Sequence, residues 1–394
     1  RQRQMCIRDS NNTATVITAN QSLSDGTYNW YINCSAGGNT TKSEVREITI
    51  NVTTFFSINL NFPPNSTSTC DTTPDFNFTV SGTEANYSCE LFINNTGYGT
   101  ILANNNTPTI ITANSSLSGG NYNWHISCSA GEVKNTSETR EILIGIQVSD
   151  CSALNQTGML YCLNQSLINK TTSPCIDIIA NNITFDCQGY LIDSNGTAYT
   201  GIYISSGNNT IRNCTLTDWN TNAIYIYYAN KNTLENITID SCPDTGITLG
   251  NSDYNVLMNI TVKGFAGTGI SLEYSDYNNL TKILVNKTVS PTTGTGIYVG
   301  ETSTGNILKN ITTNNGNTGV YFKYVSGNTI INSKILNAYE DTILVYPSSI
   351  EHCNNVVENN TVNGDYPFYY YHSTSSIAVS YTHLRAHETR HDLV

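Results

Sequence analysis

From about residue 175 the chain reads as apolar pairs flanking one outward position. GIYI (201–204), AIYI (223–226), GITL (246–249), GISL (269–272), GIYV (296–299), GVYF (319–322) and TILV (342–345) follow one another at steps of 22, 23, 23, 27, 23 and 23 residues. Two further registers keep the same beat. One runs through NTI (209–211), NTL (232–234), NVL (255–257), NNL (278–280), NIL (306–308) and NTI (328–330), the other through NCTL (213–216), NITI (236–239), NITV (259–262) and NITT (310–313). Alternation with period two predicts strands, so Ile202 and Ile204 point inward and Tyr203 outward. Several short strands in each repeat predict a β-solenoid whose coils stack about 4.8 Å apart. The recurring Asn are expected to stack at a turn, each side-chain amide bonding the next coil. The 27-residue step places an extra loop around residues 286–294. The strict L-x-x-L-x-L frame of a leucine-rich repeat is absent.

Before residue 150 the alternation is of another kind. Tyr122, Trp124, Ile126 and Cys128 share one face of a strand, and Cys89, Leu91 and Ile93 share a face of another. Short alternating strands between turns such as SGG (118–120) predict a β-sandwich. The stretch 15–37 repeats at 109–131, with Trp30 and Trp124, Cys34 and Cys128, and Arg46 and Arg140 each 94 residues apart, which means tandem domains. A disulfide Cys89–Cys128 is expected to join the two sheets beside Trp124. The same offset carries the partner of Cys34 to a position before residue 1. Residues 11–52 are therefore expected to be the C-terminal half of a truncated domain, and residues 53–147 a full one.

The pattern L-S-x-G-x-Y-x-W-x-I-x-C resembles bacterial and archaeal immunoglobulin-like surface domains. It departs from antibody domains in placing Trp124 four residues before Cys128 on the same strand. The 23-residue repeat resembles right-handed parallel β-helix proteins, in particular the NosD-like repeat family and the wider carbohydrate-binding and sugar-hydrolase group. Residues 173–193, SPCIDIIANNITFDCQGYLID, look like the usual entry coil of that family. The expected fold is all-β: immunoglobulin-like sandwiches, then a right-handed parallel β-helix solenoid over residues 148–378.

Composition narrows the setting. Only 12% of residues are charged and the formal net charge is −12, which argues against a nucleic-acid partner. The 12 Cys include no Cys-x-x-Cys pair, so disulfides in an oxidising compartment are expected over zinc or thioredoxin chemistry. Frequent N-x-S/T triplets, such as Asn182-Ile183-Thr184, fit an exported, glycosylated chain. No apolar run is long enough to cross a bilayer. One-coil spacing suggests Cys151–Cys175 and Cys162–Cys187 as staples between the first coil and its cap. Cys70 has no evident partner, and Cys214, Cys242 and Cys353 read as small buried residues. The ends differ from the rest: RQRQMCIRDS (1–10) and VSYTHLRAHETRHDLV (379–394) concentrate Arg and His and resemble translated sequencing-adapter sequence. His383, His387 and His391 would share one helix face and could ligate a metal, but they belong to that tail.

The expected location is extracellular or on the cell surface, and the leading expected role is non-catalytic, structural and adhesive, with surface glycans or other surface proteins as partners. Tyr203, Tyr225, Tyr298 and Tyr321 share one outward register and form a candidate column for stacking on sugar rings. A polysaccharide-active enzyme, lyase or hydrolase, is the alternative. The resemblance implies clustered carboxylates, or calcium with an Arg or Lys base, for that chemistry. Arg212 is the only Arg of the repeat region, His352 and His372 the only His, and no Asp-Asp pair occurs. Asp253 and Asp276, 23 residues apart, are the calcium candidates, and no other cofactor is expected. Copper is disfavoured by the scarcity of His and Met.

Overall fold

The computed structural model describes residues 6–7, 16–21, 23, 26–50, 55–287, 294–338, 341–346, 354–363, 366–373 and 376–381. His383, His387, His391 and Cys353 lie outside them. Two compact units are present: Arg1–Pro63, Asp75–Ala113 and Trp124–Thr139 form one, and Pro64–Pro74, Asn114–Asn123 and Arg140–Val394 the other.

In the first unit, Pro108–Thr112, Asp75–Gly82 and Phe56–Phe62 form an antiparallel sheet in that order. A second sheet sets Asn86–Ile93 between Thr96–Asn104 and the strand through Trp124 and Cys128, which also pairs with Val133–Thr136. Alternate residues are buried: Phe76, Phe78 and Val80 in one sheet, Leu91, Ile93, Trp124 and Ile126 in the other. Their rings meet, Phe76 with Trp124 at 4.6 Å and Phe56 with Tyr87 at 4.7 Å between centroids. Two layers thus share one apolar interior.

Cys89 and Cys128 are bonded, but not across the sheets. They are directly opposed on neighbouring strands of one sheet, with Cα atoms 4.0 Å apart. Alternation places both on an inner face; it does not encode which strands are neighbours. In the earlier copy of the repeat, Gly26–Trp30 pairs with Arg46–Ile50. Trp30 is 41% exposed there, whereas Trp124 is fully buried, and Cys34 is an exposed free thiol.

The second unit is a solenoid of two sheets whose coils pair parallel, the larger ending in the antiparallel strands Tyr366–Ser373 and Ser376–Tyr381. A nine-stranded sheet runs from Ser152–Leu154 to Asp341–Tyr346, and a sixteen-stranded sheet begins at Ile146–Val148. Register follows the sequence repeat: Ile202, Ile224, Ile247, Ile270, Ile297 and Val320 lie one above another in the nine-stranded sheet, and the opposing sheet supplies Leu234, Leu257, Leu280 and Leu308. All of these are buried in one continuous core.

The Asn registers do two jobs. Inside, Asn209, Asn232, Asn255, Asn278, Asn306 and Asn328 each donate their backbone N–H to the side-chain oxygen of the Asn one coil on, at 2.8–3.0 Å. A buried backbone donor is satisfied at every bend. Outside, Asn213, Asn236 and Asn259 take left-handed φ of 58°, 55° and 56°, which Asn tolerates better than most residues, and their amides also bond from coil to coil at 3.2 Å.

Disulfides gather at the first coils. Cys151 pairs with Cys175, as the spacing suggests. Cys162 and Cys187 do not pair: Cys162 is bonded to Cys70, and Cys187 to Cys214. The register explains this. Cys162 stands beside Asp186, so Cys187, the next residue, faces the opposite side of the sheet and lines the core with Cys214. Cys242 is a buried free thiol hydrogen-bonded to the carbonyls of Trp219 and Thr245, both at 3.0 Å.

Candidate functional site

In the nine-stranded sheet the residue between the two core positions faces outward. From coil to coil this outward position is Asp177, Tyr203, Tyr225, Thr248, Ser271, Tyr298, Tyr321 and Leu344. The four predicted tyrosines therefore share one face but form two pairs. Tyr203 and Tyr225 have centroids 5.6 Å apart, as do Tyr298 and Tyr321. Three coil steps separate Tyr225 from Tyr298, about 14 Å at strand spacing. Thr248 and Ser271 fill the gap with small hydroxyl side chains.

A second column runs beside the first, through Tyr227, Gly250, Glu273, Gly300, Lys323 and Tyr346. Its two glycines matter because the neighbouring rings lie over them. A Cβ on Gly300 would overlap the Tyr298 hydroxyl and ring, and one on Gly250 would sit 3.1 Å from the Tyr227 ring and 3.5 Å from the Tyr225 hydroxyl. Between these covered glycines stands Glu273. The Ser271 hydroxyl donates to Glu273 Oε1 at 2.9 Å, drawing the carboxylate into the gap. Tyr298 donates to Glu301 Oε1 at 3.4 Å, and Lys323 reaches Glu301 at 3.7 Å. Burial first, then the charges of Glu301 and Glu273, push the Tyr298 phenol well up. Tyr225 is raised too, by burial, then by Tyr227 and Tyr203, with Glu273 contributing. One carboxylate thus acts on phenols from both sides of the gap.

The remaining polar groups divide between turn caps and a second acidic patch. Asp253 Oδ1 accepts the backbone N–H of Asp276 at 2.8 Å, and Asp276 Oδ1 that of Thr304 at 2.7 Å. The two calcium candidates are thereby rungs of a turn ladder, and no group of three or more metal-ligating side chains occurs among the described residues. Next to them Tyr254 and Tyr277 stack at 5.1 Å, about half exposed. On the other sheet, Asp193, Thr217 and Asp240 occupy one register with Asp218 beside them. Burial, then Asp193 and Asp240, raise the Asp218 carboxyl above its ordinary range.

Residues 167–287 and 282–383 match the family described as the right handed beta helix region, together more than half of the chain. The chain belongs to the right-handed β-helix family. No curated protein matches it. Solved structures similar to this β-helix chain include an alginate lyase from Paenibacillus sp. str. FPU-7, with 16% identity and a TM-score of 0.36 over 52% of this chain and 80% of that one. The periplasmic alginate epimerase AlgG has 12% identity and a TM-score of 0.41 over 56% and 62% of the two chains. The catalytic domain of a GH87 alpha-1,3-glucanase in complex with nigerose has 12% identity and a TM-score of 0.30 over 74% and 76%.

Within this β-helix, reading the repeat for hydrophobic pattern alone passes over Glu273, Glu301, Tyr227 and Lys323. The signal is present in the aligned coils: the position that reads Gly in GITLG and GIYVG reads Glu in GISLE. A charged residue with glycine one coil to either side, next to the aromatic register, is the mark that finds the site.

Proposed function

We propose that the solenoid engages an extended polysaccharide along the tyrosine face of its nine-stranded sheet, and that Glu273 acts on the bound chain. The observation that carries this is the carboxylate held by Ser271 in the gap between two tyrosine pairs. Aromatic rings stack on sugar faces while their hydroxyls bond sugar hydroxyls. Sequence alone puts chemistry second for want of an acidic cluster on one face. Glu273 and Glu301 beside the raised Tyr298 phenol support bringing it forward, since a carboxylate and a hydroxyl within reach of one sugar are the parts of an acid–base pair. Plain retention on a structural, adhesive surface is the second reading, favoured by the single outward register on which the rings stand.

Around the solenoid, we propose that residues 53–147 form an immunoglobulin-like module and residues 11–52 a related one. The two facing sheets, Trp124 and the 94-residue repeat support this. Four disulfides among the described residues favour an oxidising, extracellular or cell-surface setting. No helix among the described residues is long and apolar enough to cross a membrane.

Affinity electrophoresis against a panel of soluble polysaccharides tests binding, and assay of new chain ends in the same mixtures tests chemistry. Tyr225→Ala and Tyr298→Ala are each expected to weaken retention about tenfold, the loss of one stacked ring. Unaltered retention in both variants would sink the site. New chain ends from the wild type, lost in Glu273→Gln while retention persists, would establish catalysis; retention without new ends would leave the adhesive reading.

A further inference from the structure

The charge around Glu273 bears on the class of polysaccharide. Glycine stands in the same register one coil to either side, so the adjacent positions of its own column set no side chain against the carboxylate. The Ser271 hydroxyl is its hydrogen-bond donor, and no ion pair to it occurs among the described residues. Its acidic neighbour Glu301 is already engaged by Lys323 and Tyr298. The rings of Tyr298 on one side, and of Tyr227 and Tyr225 on the other, lean over the flanking glycines toward this carboxylate. An uncompensated anion between aromatic faces is the surrounding that a cation seeks, through a charge-assisted hydrogen bond to the carboxylate and attraction to the π-faces. A uronate carboxylate in the same place would meet Glu273 and Glu301 at close range on a chain of net charge −12.

We infer that the site selects polysaccharides whose sugars carry free, protonated amines, and that it rejects polyuronates. This rests on the glycan reading above and narrows it. With coils about 4.8 Å apart, a chain lying along the solenoid axis would present roughly one sugar to each coil, setting one ammonium on Glu273 while its neighbours stack on the tyrosine pairs.

The test is affinity electrophoresis in gels carrying soluble chitosan, its re-N-acetylated form, a neutral glucan or polygalacturonate, with the ammonium charged. The wild type is expected to bind the amine form about tenfold tighter than the acetylated form. Glu273→Gln should bring that ratio close to one while the rings still retain both polymers weakly. Asp218→Asn makes the same charge change away from the gap and should leave the ratio unaltered. Equal loss of preference in both variants would reduce the effect to bulk charge and overturn the inference. Retention of polygalacturonate or of the acetylated polymer as strong as that of the amine form would overturn it while leaving the glycan reading intact. Retention of none of the four would remove both.

Discussion

Asp218 shows how one corner residue records its surroundings. Its φ of 60° is left-handed. Burial first, then the nearby Asp193 and Asp240, raise its folded carboxyl above the unfolded one. A carboxyl raised on folding makes the folded state bind more protons between the two pKa values, so stability falls as pH rises through that window. At neutral pH the destabilising charge is fully present. Asp218→Asn keeps the left-handed corner, since Asn adopts it readily, and removes the charge. Its unfolding midpoint should exceed the wild type's at neutral pH, and the difference should close as pH falls through the carboxylate range. A variant less stable at neutral pH would show that Asp218 serves as an acceptor at the bend.

At the scale of the element, the coil is held at its bends as much as in its core. Asn255 accepts the backbone N–H of Asn232 at 2.8 Å and donates its own backbone N–H to Asn278, all fully buried. Asn255→Ala leaves a buried donor unpaired and should cost about 2 kcal/mol, read as a lowered urea midpoint. The strand pattern and this ladder were legible because period two and a fixed 23-residue beat write both into the sequence. Disulfide partners were legible only in part. Cys151 and Cys175 sit one coil apart on one register, whereas Cys162 and Cys70 come together only through tertiary placement of residues 64–74. Peptide mapping without reduction should recover Cys70–Cys162 and Cys187–Cys214; a Cys162–Cys187 peptide would refute the pairing of Cys162 with Asp186 across neighbouring strands. The tyrosine column was legible too, but Glu273 was not, because its meaning depends on the two glycines beside it in space, 23 and 27 residues away in sequence.

On the scale of the whole solenoid, each coil touches only the coils next to it, so stability accumulates by neighbour contacts rather than from one centre. Across the 27-residue step Ser271 still pairs with Tyr298 in register, so the sheet keeps its register through a longer repeat. The disulfides break this uniformity. Bonds 70–162, 151–175 and 187–214 tie together the first coils alone, and Cys242 beyond them is free. Under mechanical load the two stretches would answer differently. A force drawing on the chain beyond Cys214 would peel coils one at a time, each releasing about 23 residues, or roughly 8 nm of contour. The peeling would halt at the covalent staples, leaving a tether that refolds from its anchored coils once the load is removed.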